Sequence, residues 1–199
     1  MDRELIQRLV ALEWEFFQAT RNEGGRAPCQ DDRETFWVMR TGQAMGWSEE
    51  MAAAWLSDLE AARTAGRNPV MEKYARMMAF TAPEAYAKLA HFLPPVEPEM
   101  EKLARALADQ TVAWAEAADS AAVTSLETYC YGELLTCRPE TLRLFQRYYA
   151  EKARRGENLY VEIQAHTARL LGYGSLEEAE RTLFASARSC CHSDPMQSG

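Results

Sequence analysis

The sequence predicts an all-α protein, and three observations support this fold class. Apolar residues recur at intervals of three and four along most of the chain, as they do on one face of a helix. Helix-start and helix-stop residues separate these stretches, and no segment alternates apolar and polar residues like a half-buried strand. Since helices average about eleven residues, we expect one compact bundle of about nine or ten helices over residues 1–188, with short loops. A disordered polar tail over 189–199 follows.

The first two helices are separated by a loop that is rich in glycine. An apolar stripe over residues 5–16 predicts the first helix. The segment 22–30 contains two glycines and a proline, so it is predicted to be a loop. Asp31 or Asp32 is a suitable N-cap for a second helix, which ends near Gly46.

The remaining helices are predicted from their caps and prolines. Ser48 begins a third helix that Gly66 ends, and Pro69 lies in the first turn of a fourth. Pro98 and Pro139 open two long helices, and another helix spans residues 159–171. Capping boxes, in which a hydroxyl precedes a glutamate by three residues, mark the other starts. They are Thr81 with Glu84, Thr124 with Glu127, and Ser175 with Glu178.

One short pattern occurs twice, ninety positions apart. Gly-Arg-Asn at 66–68 is followed by Glu72, and Gly-Glu-Asn at 156–158 is followed by Glu162. An internal duplication of a helical hairpin explains this recurrence. A favourable helix stop followed by a favourable cap is the simpler interpretation.

Composition excludes several classes of function. The chain has 22 Lys and Arg against 30 Asp and Glu, a formal net charge of −8, which disfavours binding to nucleic acid. No apolar run approaches the roughly 20 residues of a membrane span, and the N-terminus lacks the apolar segment of a signal peptide. Five cysteines at irregular spacing do not suggest a disulfide framework, so we expect a cytoplasmic protein.

Charged residues interrupt the apolar stripes of the first two helices. Glu13 lies between Val10 and Phe17 on a second stripe of the first helix, and Arg40 and Gln43 interrupt an aromatic stripe of the second. A buried carboxylate needs a partner. Arg40 is therefore predicted to neutralise Glu13 or to bind an anionic ligand together with Gln43. Alternatively, a buried Glu–Arg pair fixes only the register of the helices.

The loop between these helices resembles a cradle for an anion. Gly24 and Gly25 allow backbone N–H groups to approach a ligand closely, and Arg26 adds a cation. Asn22 and Gln30 supply polar side chains at its two ends, so all five residues are predicted to bind the ligand. An ordinary connection between two helices is the alternative interpretation.

Three side chains are candidates for catalysis. Cys29 precedes a helix N-terminus and lies near Arg26, which favours the nucleophilic thiolate, although a small buried residue is the simpler interpretation. Glu133 shares a helical face with Leu126 and Cys130, among predicted core residues. Because burial raises the pKa of an unpaired carboxyl group, Glu13 or Glu133 is predicted to act as a general acid or base.

No pattern predicts a metal site, and none identifies a cofactor. Neither His91 nor His166 follows a glutamate at the spacing of a di-iron bundle. The acidic pair 177–178 is followed by Arg181 rather than by a further acid. The Cys-Cys-His sequence at 190–192 has no second pair of ligands, so it too carries no metal prediction.

Motifs along nearly the whole chain resemble a bacterial family known as domain of unknown function 4125. They are Glu-Trp-Glu-Phe-Phe at 13–17, the loop 22–32, Thr-Phe at 35–36, Met-Arg at 39–40, Gln43, Gly-Arg-Asn at 66–68, the segments 72–78 and 81–84, Leu-Glu-Thr-Tyr at 126–129, Gly-Glu-Leu at 132–134, Gly-Tyr at 172–173 and the segment 175–180. Some relatives carry a nucleotidyltransferase-like domain, so the resemblance implies a nucleotide-related role or such a protein as partner.

Two departures from that family accompany the resemblance. The family pattern has arginine where this chain has Tyr131, and the polar stretch before that motif is shortened here to residues 117–123. If both contribute to a site, the resemblance implies altered specificity or lost activity.

Two hypotheses of function follow. In the first, a helical enzyme or binding domain holds a small anionic ligand in a pocket between the first two helices, the loop and the helix around Glu133. In the second, a non-catalytic module binds a partner protein through an exposed apolar patch that includes Trp37 and Trp55.

Overall fold

Helices account for nearly all of the secondary structure in the computed structural model, which describes residues 2–21, 25–118 and 123–182. In chain order they are α1 (Arg3–Ala19), α2 (Arg33–Met45), α3 (Glu49–Thr64), α4 (Pro69–Thr81), α5 (Pro83–Leu89), α6 (Pro98–Glu116), α7 (Val123–Leu134), α8 (Pro139–Arg154) and α9 (Leu159–Leu170). Two short 3-10 helices lie at Pro28–Asp31 and Ala90–Phe92, and a last helical stretch spans 176–182. These residues contain no strand, so the all-α prediction is confirmed.

The predicted helix starts are largely confirmed by the hydrogen bonds of their caps. The side chains of Asp32 and Ser48 accept backbone N–H groups at 3.0 and 3.1 Å, and that of Ser175 does so at 3.2 Å. The predicted capping box at Thr81 is wrong. Thr81 is the last residue of α4, and Pro83 begins α5 because proline suits a first helical turn. The Thr124 side chain lies outside the part of the chain that the structure describes, as does the tail 189–199.

The helices form two sets that repeat one arrangement. The first set is α1–α4 and the second is α6–α9. In the first set α1 contacts α2, α3 and α4, and in the second α6 contacts α7, α8 and α9 in the same way. The described helices include none that is both long enough and apolar enough to cross a membrane.

Each set also packs its last helix on the second helix of the other set. Helix α4 packs on α7, and α9 packs on α2. At each contact a glycine allows the close approach of the two helices. These two glycines lie ninety positions apart in the sequence. A Cβ atom on Gly42 would lie 2.2 Å from Oγ1 of Thr167, and one on Gly132 would lie 3.0 Å from the carbonyl oxygen of Lys73. The two contacts are therefore built alike.

The recurring Gly-x-Asn pattern has the same tertiary role in both sets. Asn68 caps α4, and its side-chain amide donates to the carbonyl of Phe16 in α1 at 2.8 Å. Asn158 caps α9, and its amide donates to the carbonyl of Trp114 in α6, also at 2.8 Å. A helix stop alone explains the caps, but it does not explain the matched contact with the central helix. The two sets are thus a structural repeat.

Candidate functional site

A buried arginine joins the first three helices. On α2, Arg40 donates from Nε to Oε2 of Glu13 at 2.7 Å and from Nη2 to Oε1 at 2.5 Å. On α3, Trp55 donates from Nε1 to the same Oε1 atom at 2.7 Å. The exposed fraction of Glu13 is 2%, so its charge is neutralised inside the core by a two-pronged contact.

The third guanidinium nitrogen links Arg40 to α7. Its Nη1 atom donates to Oε1 of Glu133 at 2.9 Å and to Oε1 of Gln43 at 2.7 Å. Gln43 in turn donates from Nε2 to Oε2 of Glu133 at 2.9 Å. Arg40 therefore contacts two carboxylates, and Gln43 holds the second of them in place. Of the four residues predicted to share one pocket, Glu13, Arg40 and Glu133 are in contact and Arg26 is not among them.

A second buried cation, Lys73 on α4, completes the cluster. Its Nζ atom lies 3.4 Å from Oε1 of Glu133. It also lies 3.9 Å from the ring centroid of Tyr129 and 5.1 Å from that of Tyr74, distances typical of cation–π contacts. We call Glu13, Arg40, Lys73 and Glu133 the ion cluster; its formal charges sum to zero.

Electrostatics hold Arg40, Lys73 and Glu133 in their charged forms. Burial opposes ionisation of Glu133, but Arg40 and Lys73 outweigh it and lower the pKa of Glu133 to about 2. Burial likewise opposes the charge of Lys73, yet Tyr129 and Glu133 raise the pKa of its ammonium. The pKa of Arg40 is raised well above its ordinary value, because Glu13 and Glu133 outweigh its burial. The expectation that Glu133 has a raised pKa is wrong, since two cations lie beside it.

A cavity of about 310 Å³ lies against the ion cluster, and we call it the first cavity. All four residues of the ion cluster line it, together with aromatic and apolar side chains from α1–α4 and α7. The latter include Phe17, Phe36, Met39, Trp55, Tyr74 and Tyr129. The cavity therefore combines flat apolar walls with buried charges, which is the usual composition of a small-molecule site.

A second cavity of about 350 Å³ adjoins the first at Arg40. It shares Met39, Arg40, Tyr129 and Glu133 with the first cavity. The rest of its lining comes mainly from α6–α9 and is largely neutral, including Thr111, Cys130, Phe145, Tyr149, Leu159 and Ile163. Burial raises the pKa of the Cys130 thiol to about 12, so this thiol is protonated at neutral pH.

The loop predicted to cradle an anion is instead bonded to its own surroundings. Arg26 donates to Asp31 at 2.8 Å and to Gln18 at 2.6 Å, and it lines neither cavity. Gln30 is buried, and its side-chain amide donates to the carbonyls of Phe17 and Thr20. Gly25 has a φ of 88°, a conformation that favours glycine. These contacts fix the loop to the end of α1.

Several other predicted residues have definite places. Cys29 is exposed and lies on the lining of the first cavity. Asn22 and Gly24 lie outside the described residues. Trp55 is 4% exposed, so its predicted place in an exposed patch is wrong: its indole donates to Glu13 within the core. Trp37 is half-buried.

Sequence reasoning missed Lys73, Trp55 and Tyr129 as parts of the site. Lys73 carried a usable signal, because it lies between Val70 and Met77 on one face of α4, as Glu13 does on α1. Trp55 and Tyr129 carried no such signal, since tryptophan and tyrosine are often found in protein cores. Within the described ranges, no three His, Cys, Asp or Glu side chains are arranged to hold a metal ion.

Fold and site together define a helical repeat domain with a buried ion cluster between two cavities. The chain belongs to the family described as "Protein of unknown function (DUF4125)", whose model matches residues 3–181. This match confirms the family resemblance of the sequence motifs. Comparisons with curated proteins and with solved structures give no match.

Proposed function

We propose that the protein binds a small organic anion in the first cavity, with Lys73 as the residue that receives the anionic group. The observation that carries the proposal is the incomplete pairing of this buried ammonium. Its exposed fraction is 5%, and among the described residues Glu133, at 3.4 Å, is its one hydrogen-bond acceptor. An ammonium group has three donors, so Lys73 retains donors for a ligand.

Arg40 is a weaker candidate for direct contact. Its Nε and Nη2 atoms donate to Glu13, and its Nη1 atom donates to Glu133 and Gln43. A ligand that replaced one of these carboxylates would leave that carboxylate buried and unpaired, at a cost of several kcal/mol. We therefore assign Arg40 the task of holding Glu133, which in turn positions Lys73.

The apolar walls indicate what the rest of the ligand is like. Phe36, Tyr74 and Tyr129 line the same cavity as Lys73. Flat molecules stack favourably on such rings. An aromatic ring with an attached carboxylate or phosphate satisfies both parts of the lining, and nucleotides are one class with this composition.

Binding, rather than catalysis, is the function that this arrangement favours. Glu133, with a pKa of about 2, is ionised at neutral pH and is a poor general acid. Glu13 accepts three hydrogen bonds, from Arg40 and Trp55. Cys29 lies on the cavity lining, where its catalytic role stays a prediction. The cytoplasmic location and a nucleotidyltransferase-like partner also stay predictions.

Calorimetric titration of charged ligands and their neutral counterparts tests the proposal. We would compare adenosine monophosphate with adenosine, and benzoate with benzamide, on the wild type and on Lys73→Met. We expect the charged member of at least one pair to bind the wild type about tenfold more tightly, because a charge-assisted hydrogen bond contributes roughly 1.5–3 kcal/mol. Lys73→Met removes that preference.

Lys102→Met is the matched control, because it makes the same substitution at an exposed position of α6. It keeps the preference for the charged ligand, and circular dichroism verifies that both variants are helical. The proposal is wrong if no charged ligand binds the wild type, or if Lys73→Met binds it as tightly as Lys102→Met does.

A further inference from the structure

A groove of about 660 Å³ lies away from the ion cluster, between α4, the α5–α6 connection, α6 and α7. It shares no lining residue with either cavity. Its lining includes Arg76, Phe80, Tyr86, Glu101, Arg105 and Tyr131. The groove therefore combines two guanidinium groups with several aromatic rings.

Arg76 is a buried cation that lacks a counter-ion. Its exposed fraction is 8%, and its Nη2 atom donates to the carbonyl of Pro94 at 2.7 Å. Its Nε atom is buried without a hydrogen-bond partner. Across the described ranges, no carboxylate forms an ion pair with this guanidinium. Burial of the group lowers the pKa of Arg76, as expected for a charge with insufficient compensation.

The acid one turn earlier on α4, Glu72, compensates this charge only in part, because burial outweighs its effect and still lowers the pKa of Arg76. Glu72 accepts two hydrogen bonds from Arg67, one from Nε at 2.9 Å and one from Nη2 at 2.6 Å, so this carboxylate already has a cationic partner. By contrast, the buried cations Arg40 and Lys73 both contact Glu133. Because an unpaired buried charge costs several kcal/mol, Arg76 is an exception that needs a physical reason.

The remainder of the groove suits an anion attached to an aromatic ring. Arg105 lies with its guanidinium carbon 3.8 Å from the ring centroid of Tyr131 and pairs with Glu127 at 2.6 Å. Glu101, the acid on the lining, accepts the hydroxyl of Tyr131 at 3.1 Å. Phe80 is 47% exposed, so its ring is available for stacking.

We propose that this groove is a second ligand site, in which Arg76 binds the carboxylate or phosphate of a small aromatic anion while Phe80 and Tyr131 contact its ring. A bound oxyanion supplies the counter-ion that the guanidinium lacks, and a guanidinium accommodates both carboxylate and phosphate oxygens. The proposal does not depend on the function assigned to the first cavity.

Calorimetry with phenyl phosphate, benzoate and neutral benzyl alcohol tests the site. The Lys73→Met variant is used throughout, so that the preference of the first cavity for a charged ligand does not contribute. We expect one or both anions to bind at least about tenfold more tightly than the alcohol, and the stronger of the two identifies the anionic group. Adding Arg76→Met abolishes this difference, and adding Arg147→Met, at an exposed arginine of α8, preserves it.

Thermal unfolding supplies a readout that does not require a ligand. Without anion, Arg76→Met raises Tm by about 3 °C relative to Arg147→Met, because an incompletely compensated buried charge is removed.

In the calorimetric experiment, equal anion binding by the Arg76→Met and Arg147→Met variants overturns the proposal, and so does the absence of anion binding. If Arg76→Met does not fold, Phe80→Ala at the exposed ring must weaken anion binding at least about threefold, and unchanged binding overturns the proposal.

Discussion

The two cavities occupy matched places in the structural repeat, yet only the first is lined by the complete ion cluster. Helices α2–α4 align with α7–α9 at an offset of ninety positions. Helix α1 aligns with α6 through Phe16 and Trp114, because their carbonyls accept the matched hydrogen bonds from Asn68 and Asn158. Under this alignment the ion-cluster side chains have neutral counterparts. They are Glu13 with Thr111, Arg40 with Cys130, Lys73 with Ile163, and Glu133 with Gln43.

The difference shows which properties depend on the helix arrangement and which do not. Both cavities have similar volumes, about 310 and 350 Å³, and matched walls such as Trp55 and Phe145. The second half packs in the same way with Thr111 and Ile163 at the positions of Glu13 and Lys73. Packing of this repeat therefore does not require the charges, and their presence in the first cavity needs a separate reason. Ligand binding is the reason we propose.

The largest contrast is expected when Arg40 and its counterpart are each replaced. Arg40→Met leaves Glu13 and Glu133 buried without their shared cation, so the free energy of unfolding falls by about 3–5 kcal/mol. Cys130→Ala removes one small neutral group and costs about 1 kcal/mol. Urea unfolding followed by circular dichroism measures both. Equal losses would contradict the distinction between the cavities.

Acidification tests the ion cluster through Glu133. Its folded-state pKa of about 2 lies below the ordinary value of 4.5, so its ionisation stabilises the fold above pH 4.5. That contribution, about 3 kcal/mol for a shift of this size, is lost as the pH falls through 2. Glu133→Gln lacks this dependence. We expect the stability difference between wild type and Glu133→Gln to shrink between pH 4.5 and 2; a constant difference would refute the assigned pKa.

A combined replacement asks whether the first cavity tolerates the residues of the second. The variant carries Glu13→Thr, Arg40→Cys, Lys73→Ile and Glu133→Gln together. Because it removes both signs of charge at once, we expect it to lose less than about 2 kcal/mol, well below the loss for Arg40→Met. Chemical unfolding supplies the comparison. A loss as large as that of Arg40→Met would show that the repeat does need the charges.

The smallest expected effect concerns the feature that the two halves have in common. Asn68→Ala and Asn158→Ala each remove an N-cap and a contact with a central helix. Each substitution is expected to cost about 1–2 kcal/mol. The repeat predicts equal costs within about 0.5 kcal/mol, measured by urea unfolding. Clearly unequal costs would indicate that the halves differ beyond their cavities.

Much of the fold could be predicted because its determinants are local. The N-caps at Asp32 and Ser48 and the prolines at 69, 98 and 139 mark helix starts without any tertiary information. Thr81 shows the limit of such reasoning: its spacing to Glu84 fits a capping box, but the intervening Pro83 takes the first helical position. The exchange of α4 and α9 between the halves depends on contacts far apart in sequence and was not predicted.

The site was predictable where a charge interrupts an apolar stripe. Glu13, Arg40 and Glu133 all met that condition and contact one another in the structure. Two residues of the predicted loop, Arg26 and Gln30, lie outside the ion cluster. Arg26 and Gln30 have the chemistry of ligand contacts, but their partners lie on the adjoining residues of α1 and the loop itself. A sequence pattern gives the donors of such a loop without giving their acceptors.

The exchange of last helices has a consequence for the independence of the two halves. Because α4 covers α7 and α9 covers α2, neither half can close its own apolar surface. A half-length polypeptide would leave two helices uncovered, and two identical copies could bury them by trading the same elements in a symmetric homodimer. Joining both copies in one polypeptide removes the requirement that the two cavities be identical, so that one can be lined by all four charged side chains while the other is lined by only two of them, Arg40 and Glu133.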